Sequence, residues 1–94
     1  MTSAKQLKIL SLLMQKDMFG LELVKASDGE LKRGTVYVTL DRMEDAGLVK
    51  SYMAPVKKGE QGPQRRKYKI IGAGEKLFDA ERAKAMKNFG WGGA

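Results

Sequence analysis

Arg33-Gly34-Thr35-Val36-Tyr37-Val38-Thr39-Leu40-Asp41-Arg42-Met43-Glu44-Asp45-Ala46-Gly47 is the stretch whose reading decides the fold. Val36, Leu40 and Met43 recur at four-then-three spacing, which places three apolar side chains on one face of a helix. Gly47 stands where helices commonly end in a left-handed residue, so the spacing predicts a helix over 33–46. Its other face carries Thr35, Tyr37, Val38, Thr39, Asp41 and Arg42, a set rich in groups that hydrogen-bond.

Two shorter helices are expected before it. Ala4 to Gln15 is amphipathic, with Leu7, Leu10, Leu13 and Met14 at threes and fours and Ser3 as the N-cap. Lys16 to Gly20 reads as a turn, Leu21 to Ala26 as two helical turns with Leu21 and Val24 three apart, and Ser27-Asp28-Gly29 as the stop. After Gly47 the period changes. Leu48 to Met53 and Arg65 to Ile71 are short runs rich in Val, Ile and Tyr, separated by a loop that holds Pro55, Gly59, Gly62 and Pro63, which predicts a β-hairpin. In its second strand Arg66, Tyr68 and Ile70 share one face and Lys67, Lys69 and Ile71 the other. From Ala73 to about Asn88 the helical period returns, with Leu77, Ala80, Ala83 or Lys84, and Lys87 in line and Phe78 beside them. Gly90-Trp91-Gly92-Gly93-Ala94 cannot sustain a helix. The expected fold class is mainly α with a β-hairpin, an α+β chain without internal repeats.

The chain's 94 residues suffice for one small domain, and 43% hydrophobic with 31% charged residues argue against wholesale disorder. Cysteine and histidine are both absent, which removes thiolate nucleophiles, imidazole bases and zinc sites of the usual kind. Asp28 with Glu30, and Asp41 with Glu44 and Asp45, read as ordinary helix-end and solvent-facing acids. An enzyme, a metal and a cofactor are therefore not expected. The longest apolar run, Ile9 to Met14, is broken by Ser11 and is far short of the ~20 residues of a membrane helix. Met1-Thr2-Ser3-Ala4-Lys5 lacks the pattern of a signal peptide, so a cytoplasmic location and no membrane partner are expected. With a small core and no disulfide, self-association is a natural supplement to stability.

The net charge is +7, and its position along the chain carries the information. Residues 1–49 balance seven cations against seven acids. Residues 50–69 set Lys50, Lys57, Lys58, Arg65, Arg66, Lys67 and Lys69 against Glu60 alone, for +6. A basic hairpin can simply keep a protein soluble, but phosphate backbones reward such clustering through counterion release, and a polyanion is the favoured partner.

Three helices, a hairpin and a closing helix is the order of a winged helix-turn-helix, in which the third helix enters the DNA major groove and the hairpin reaches the flanking backbone. The block Gly34 to Val49, followed by Gly62-Pro63-Gln64-Arg65-Arg66-Lys67-Tyr68-Lys69-Ile70 and Gly72-Ala73-Gly74-Glu75, closely resembles the PadR family of transcriptional regulators, over roughly residues 7 to 78. The resemblance implies a homodimeric repressor acting on double-stranded DNA. By position it assigns Lys32, Arg33, Thr35, Tyr37, Val38, Thr39 and Arg42 to the reading helix or its entry. Lys57, Lys58, Gln61, Gln64, Arg65, Arg66 and Lys67 fall on the wing. Residues 1–72 would form the DNA-binding domain, and residues 73–94 a C-terminal dimerisation helix with a glycine-rich tail. Leu7, Leu10, Leu77, Phe78, Met86 and Phe89 are the expected dimerisation residues. Regulators of this kind often sense a small molecule, but no effector pocket can be inferred. Lys32 and Arg33 stand where the family often has a small cap and proline, and Ile71 where it usually has threonine, leaving Gly72 as the cap of the last helix.

The same residues can be read without the family. A helix start offers free N–H groups and a positive dipole end, so Lys32, Arg33 and Thr35 form an anion-binding cluster. Thr39, Arg42 and the Val38 methyls can address guanine acceptors or a thymine methyl. Tyr37 is either a phosphate ligand or half-buried core. Arg42 either reads DNA or pairs with Glu44, Asp45 or Glu60. Arg65, Arg66 and Lys67, three successive cations in a strand, present side chains to both faces. Trp91 either joins a partner surface or frays with the tail. Two alternatives to a sequence-specific regulator stay open: an architectural or otherwise non-specific nucleic-acid-binding module, and a winged helix used for protein contacts.

Overall fold

The computed structural model describes residues 3–55 and 65–88. In chain order these form α1 (Ala4–Leu13), β1 (Met18–Phe19), α2 (Gly20–Ala26), α3 (Arg33–Asp45), β2 (Val49–Ala54), β3 (Arg65–Ile70) and α4 (Gly72–Asn88). Helices, hairpin strands and closing helix follow the expected order, with two corrections.

The first is β1. The segment expected to be only a turn contains a two-residue strand, and the sheet is three-stranded and antiparallel in the order β1-β3-β2. Met18 lies opposite Tyr68 and Phe19 opposite Lys67. Two residues carry no readable period, and their partner is far along the chain, so nothing local marks them as a strand. The second is the inward face of α2. Of the pair Leu21 and Val24, Val24 packs half-buried on the core but Leu21 is exposed, and Leu23 is buried instead. The helix starts at Gly20, where the Glu22 carboxylate accepts the Phe19 N–H at 2.9 Å. That bond fixes the entry and the rotation of a helix too short to have one unique apolar stripe.

Elsewhere the local chemistry works as the residue types dictate. Ser3 caps α1 by accepting the Gln6 N–H at 3.2 Å. Buried Ser27 donates its hydroxyl to the Val24 carbonyl at 2.7 Å and accepts the Leu31 N–H at 2.9 Å, which turns the chain out of α2. Asp28 and Gly29 follow with positive φ. At the end of α3, Gly47 has φ 77°, its N–H reaches the Glu44 carbonyl, and Leu48 N–H reaches the Met43 carbonyl. This is the left-handed termination that Gly47 predicts.

The core joins Ile9, Leu10, Leu12 and Leu13 of α1 to Val36, Leu40 and Met43 of α3, with Met18, Leu23, Leu31, Val49 and Tyr68. Leu10 is fully buried, 0% exposed, so it cannot meet a partner as expected; it belongs to the protomer's own core. Leu7 remains half-buried. Helix α4 begins at Gly72 instead of being capped by it, and its first turn is seated closely. A Cβ at Gly74 would collide with the backbone carbonyl of Leu48, so only glycine allows this approach. Leu77 and Phe78 then pack on the core. Among the described residues, no helix is long and apolar enough to cross a membrane.

Candidate nucleic-acid interface

Anchoring α3 by Val36, Leu40 and Met43 turns a second stripe outward. Thr35, Val38, Thr39 and Arg42 recur at three, four and seven positions, so they line up along the side away from the core. Val38 is 52% exposed although apolar, and Arg42 is exposed in the last turn. Thr39 donates its hydroxyl to the Thr35 carbonyl at 3.0 Å, which leaves its oxygen free to accept.

The start of α3 is electrostatically unsatisfied. Lys32 is its N-cap without a side-chain cap bond, Arg33 and Thr35 stand exposed in the first turn, and that turn holds no acid. Two cations beside the positive end of the helix dipole repel it, and an anion placed there relieves both. Among the described residues, ion pairs join Lys8 to Glu30, Lys16 to Glu22, Arg82 to Asp79 and Lys84 to Glu81. None engages a cation of α3 or β3, so the pairing of Arg42 with Glu44 or Asp45 left open by the sequence is not formed.

Tyr37 lies between the two expected roles. Its ring sits against the Cα of Gly20, so close that a Cβ there would collide with it, while 44% of the residue stays exposed. The ring thus packs α3 onto the start of α2, and one edge faces solvent.

Strand β3 distributes its cations by simple alternation. Arg65 and Lys67 lie on the outer sheet face, over the Phe19 ring at 5.8 and 5.0 Å from its centroid. Lys50 and Lys69 stand directly opposite each other on the same face, a like-charge cross-strand pair that costs stability. Beside them Tyr52 donates its hydroxyl to Asp17 at 2.6 Å, and that bond raises the Tyr52 pKa. Arg66 points to the opposite face, toward α3, where its Nη1 donates to Ser51 Oγ at 3.3 Å.

Ser51 connects that strand to α3. Its N–H donates to Glu44 Oε2 at 2.9 Å, and its hydroxyl lies 2.9 and 3.0 Å from the two carboxylate oxygens. These bonds, the backbone one foremost and then the hydroxyl, hold the Glu44 carboxyl below its usual pKa against the opposing effect of burial, with help from Arg66 and Lys50. Glu44 is therefore not the solvent-facing acid the sequence suggested. The signal was available: an acid in the last turn of a helix opposes the dipole and calls for compensation.

Lys57, Lys58, Gln61 and Gln64 of the expected wing, with Phe89 and Trp91, lie outside the described residues. Of the expected dimerisation residues, Leu77 and Phe78 are half-buried against the core, and Met86 is 49% exposed.

The model of the transcriptional regulator PadR-like family matches residues 9–80. Among solved structures, a PadR family transcription regulator of hypervirulent Clostridium difficile R20291 is 29% identical with a TM-score of 0.74, covering 93% of this chain and 98% of its own. A protein of Thermoplasma acidophilum, assigned as a transcriptional regulator, is 30% identical with a TM-score of 0.71, over 88% of this chain and 80% of its own. A transcriptional regulator of Clostridium thermocellum is 28% identical with a TM-score of 0.70, over 90% and 88%. No curated protein matches the chain by sequence.

Proposed function

This chain belongs to the PadR-like family of DNA-binding transcriptional regulators, and from that premise we propose that it is a dimeric, sequence-specific repressor that reads a pseudo-palindromic operator. One observation carries the reading. Thr35, Val38 and Arg42 of the outward α3 stripe, with Thr39 half-buried between them, and Arg65 and Arg66 at the start of β3 are presented to solvent, and the two elements are tied to each other through Glu44, Ser51 and Arg66. Arg42, Thr39, Val38 and Thr35 supply base-edge contacts; Lys32, Arg33, Arg65, Arg66 and Lys67 supply phosphate contacts, with the half-exposed Tyr37 beside them. Lys57, Lys58 and Gln64 extend this set at the wing.

Residues 1–72 bind DNA in this reading, and residues 73–94 pair the protomers. Leu77 and Phe78 seat the last helix on the core, while Leu7 and Met86 are left to meet the partner and Phe89 is assigned to the same surface by its place in the sequence. Two-fold pairing places the reading helices about one helical turn, ~34 Å, apart or a multiple of it.

Selection of bound duplexes from a random pool tests specificity, symmetry and spacing together. The expected product is a two-fold-related pair of half-sites at that spacing, and a reporter carrying it should be silenced by the protein. A pool that stays random at every salt concentration overturns the reading. It would favour binding without sequence preference, which the cations of the outer sheet face, Lys50, Arg65, Lys67 and Lys69, support by charge alone.

A further inference from the structure

We propose that Glu44 is a positioning residue for DNA binding: its carboxylate, through Ser51 and Arg66, fixes the angle between the reading helix and the wing. The inference rests on the DNA-binding reading above and deepens it, because an anion here strengthens the grip on a polyanion.

Among the described residues the sheet order is β1-β3-β2, and strand β2 has one edge without a strand partner. The Ser51 N–H, instead of bonding to another strand, donates to Glu44 at 2.9 Å, so α3 supplies the acceptor that the sheet lacks. The Ser51 hydroxyl occupies the same carboxylate, and Arg66 donates to the Ser51 oxygen from β3. One polar chain thus runs from α3 across β2 to β3.

Covalently, α3 and β2 are joined only through Ala46-Gly47-Leu48, a tight turn that acts as a single pivot. Val36, Leu40 and Met43 already pack α3 on Val49 and Tyr68 in the core, but apolar contacts have no direction. The carboxylate adds a directional attachment at the β2 edge, away from the pivot, and so sets the tilt that the core contacts leave adjustable. Because the reading helix and the wing must meet the groove and the backbone of the same duplex, their mutual angle decides whether both contacts form together.

Sign separates this role from a generic one. Removing an anion beside a DNA-binding surface, by charge alone, tightens binding to every duplex. Removing a positioning group weakens binding only where the contacts depend on geometry.

The test uses the full chain with Glu44→Gln and, independently, Ser51→Ala, each assayed on a duplex recovered by selection and on a random duplex of equal length at several salt concentrations. Glu44→Gln should bind the selected duplex about tenfold more weakly and the random duplex no more weakly, with the salt slope unchanged. Ser51→Ala should move the same way by less, since its N–H bond survives, and it carries the test should Glu44→Gln fold poorly. Equal losses on both duplexes, or no loss on the selected one, overturn the proposal.

A measurement without DNA is also decisive. The chain has no cysteine, so spin labels at Asp41→Cys on α3 and Met53→Cys on β2, in labelled protein diluted with excess unlabelled chain, report one distance within a protomer. Its distribution should broaden with Glu44→Gln, or with Ser51→Ala. An unchanged distribution defeats the proposal, whereas a selection without a preferred sequence defeats only the operator reading.

Discussion

Helices α3 and α4, thirteen and seventeen residues long, are held in opposite ways. Helix α3 places Val36, Leu40 and Met43 in the core at almost no exposure, so its own chain anchors it from end to end. Helix α4 is seated only by its first two turns, through Gly74, Leu77 and Phe78. From Asp79 to Met86 every residue but Glu81 is exposed, and the ion pairs Asp79–Arg82 and Glu81–Lys84 lie on solvent faces where each contributes little. A helix with a complete apolar stripe is held along its length by the core, whereas one whose core contacts stop after two turns is held at one end, and its remainder is the part proposed above to pair the protomers.

Three substitutions break or sharpen this contrast. Leu40→Ala removes a side chain with 0% exposure from the middle of the α3 stripe and should destabilise the protein by about 2–5 kcal/mol in denaturant melts. A loss below about 1 kcal/mol would mean that the core does not anchor α3 as described. Gly74→Ala drives a methyl into the Leu48 carbonyl, backbone that cannot swing aside, and should cost about 1–3 kcal/mol while speeding hydrogen exchange along α4. Full retention of stability would show that the start of α4 is not closely seated. Met86→Lys should leave monomer stability within about 0.5 kcal/mol yet shift sedimentation from dimer toward monomer. An intact dimer would place the pairing surface elsewhere.

The sequence was most legible where a period ran long enough to define a face. The buried stripe of α3, its glycine stop and the alternation of Arg65, Arg66 and Lys67 across the two sheet faces all follow from spacing. It was least legible where an element was too short or its partner too distant. Strand β1 has two residues, and α2 offers Leu21, Leu23 and Val24 with no preferred face until the Glu22 bond sets its rotation. Leu10 fits a partner surface as well as a core by period alone, and only the packing of α1 against the rest of the molecule assigns it.

The sequence by itself determined the order of the helices and the two hairpin strands, the concentration of positive charge between Lys50 and Lys69, and the absence of cysteine and histidine. These depend on residue type and on neighbours a few positions away, which the chain states directly. Only the tertiary structure decided that Tyr37 rests on Gly20, that Phe19 lies beneath Arg65 and Lys67, and that Glu44 meets Ser51. Each joins separate elements, and which side chains meet there depends on how helices and strands pack together. Periodicity gives each element a face, but packing selects which faces touch.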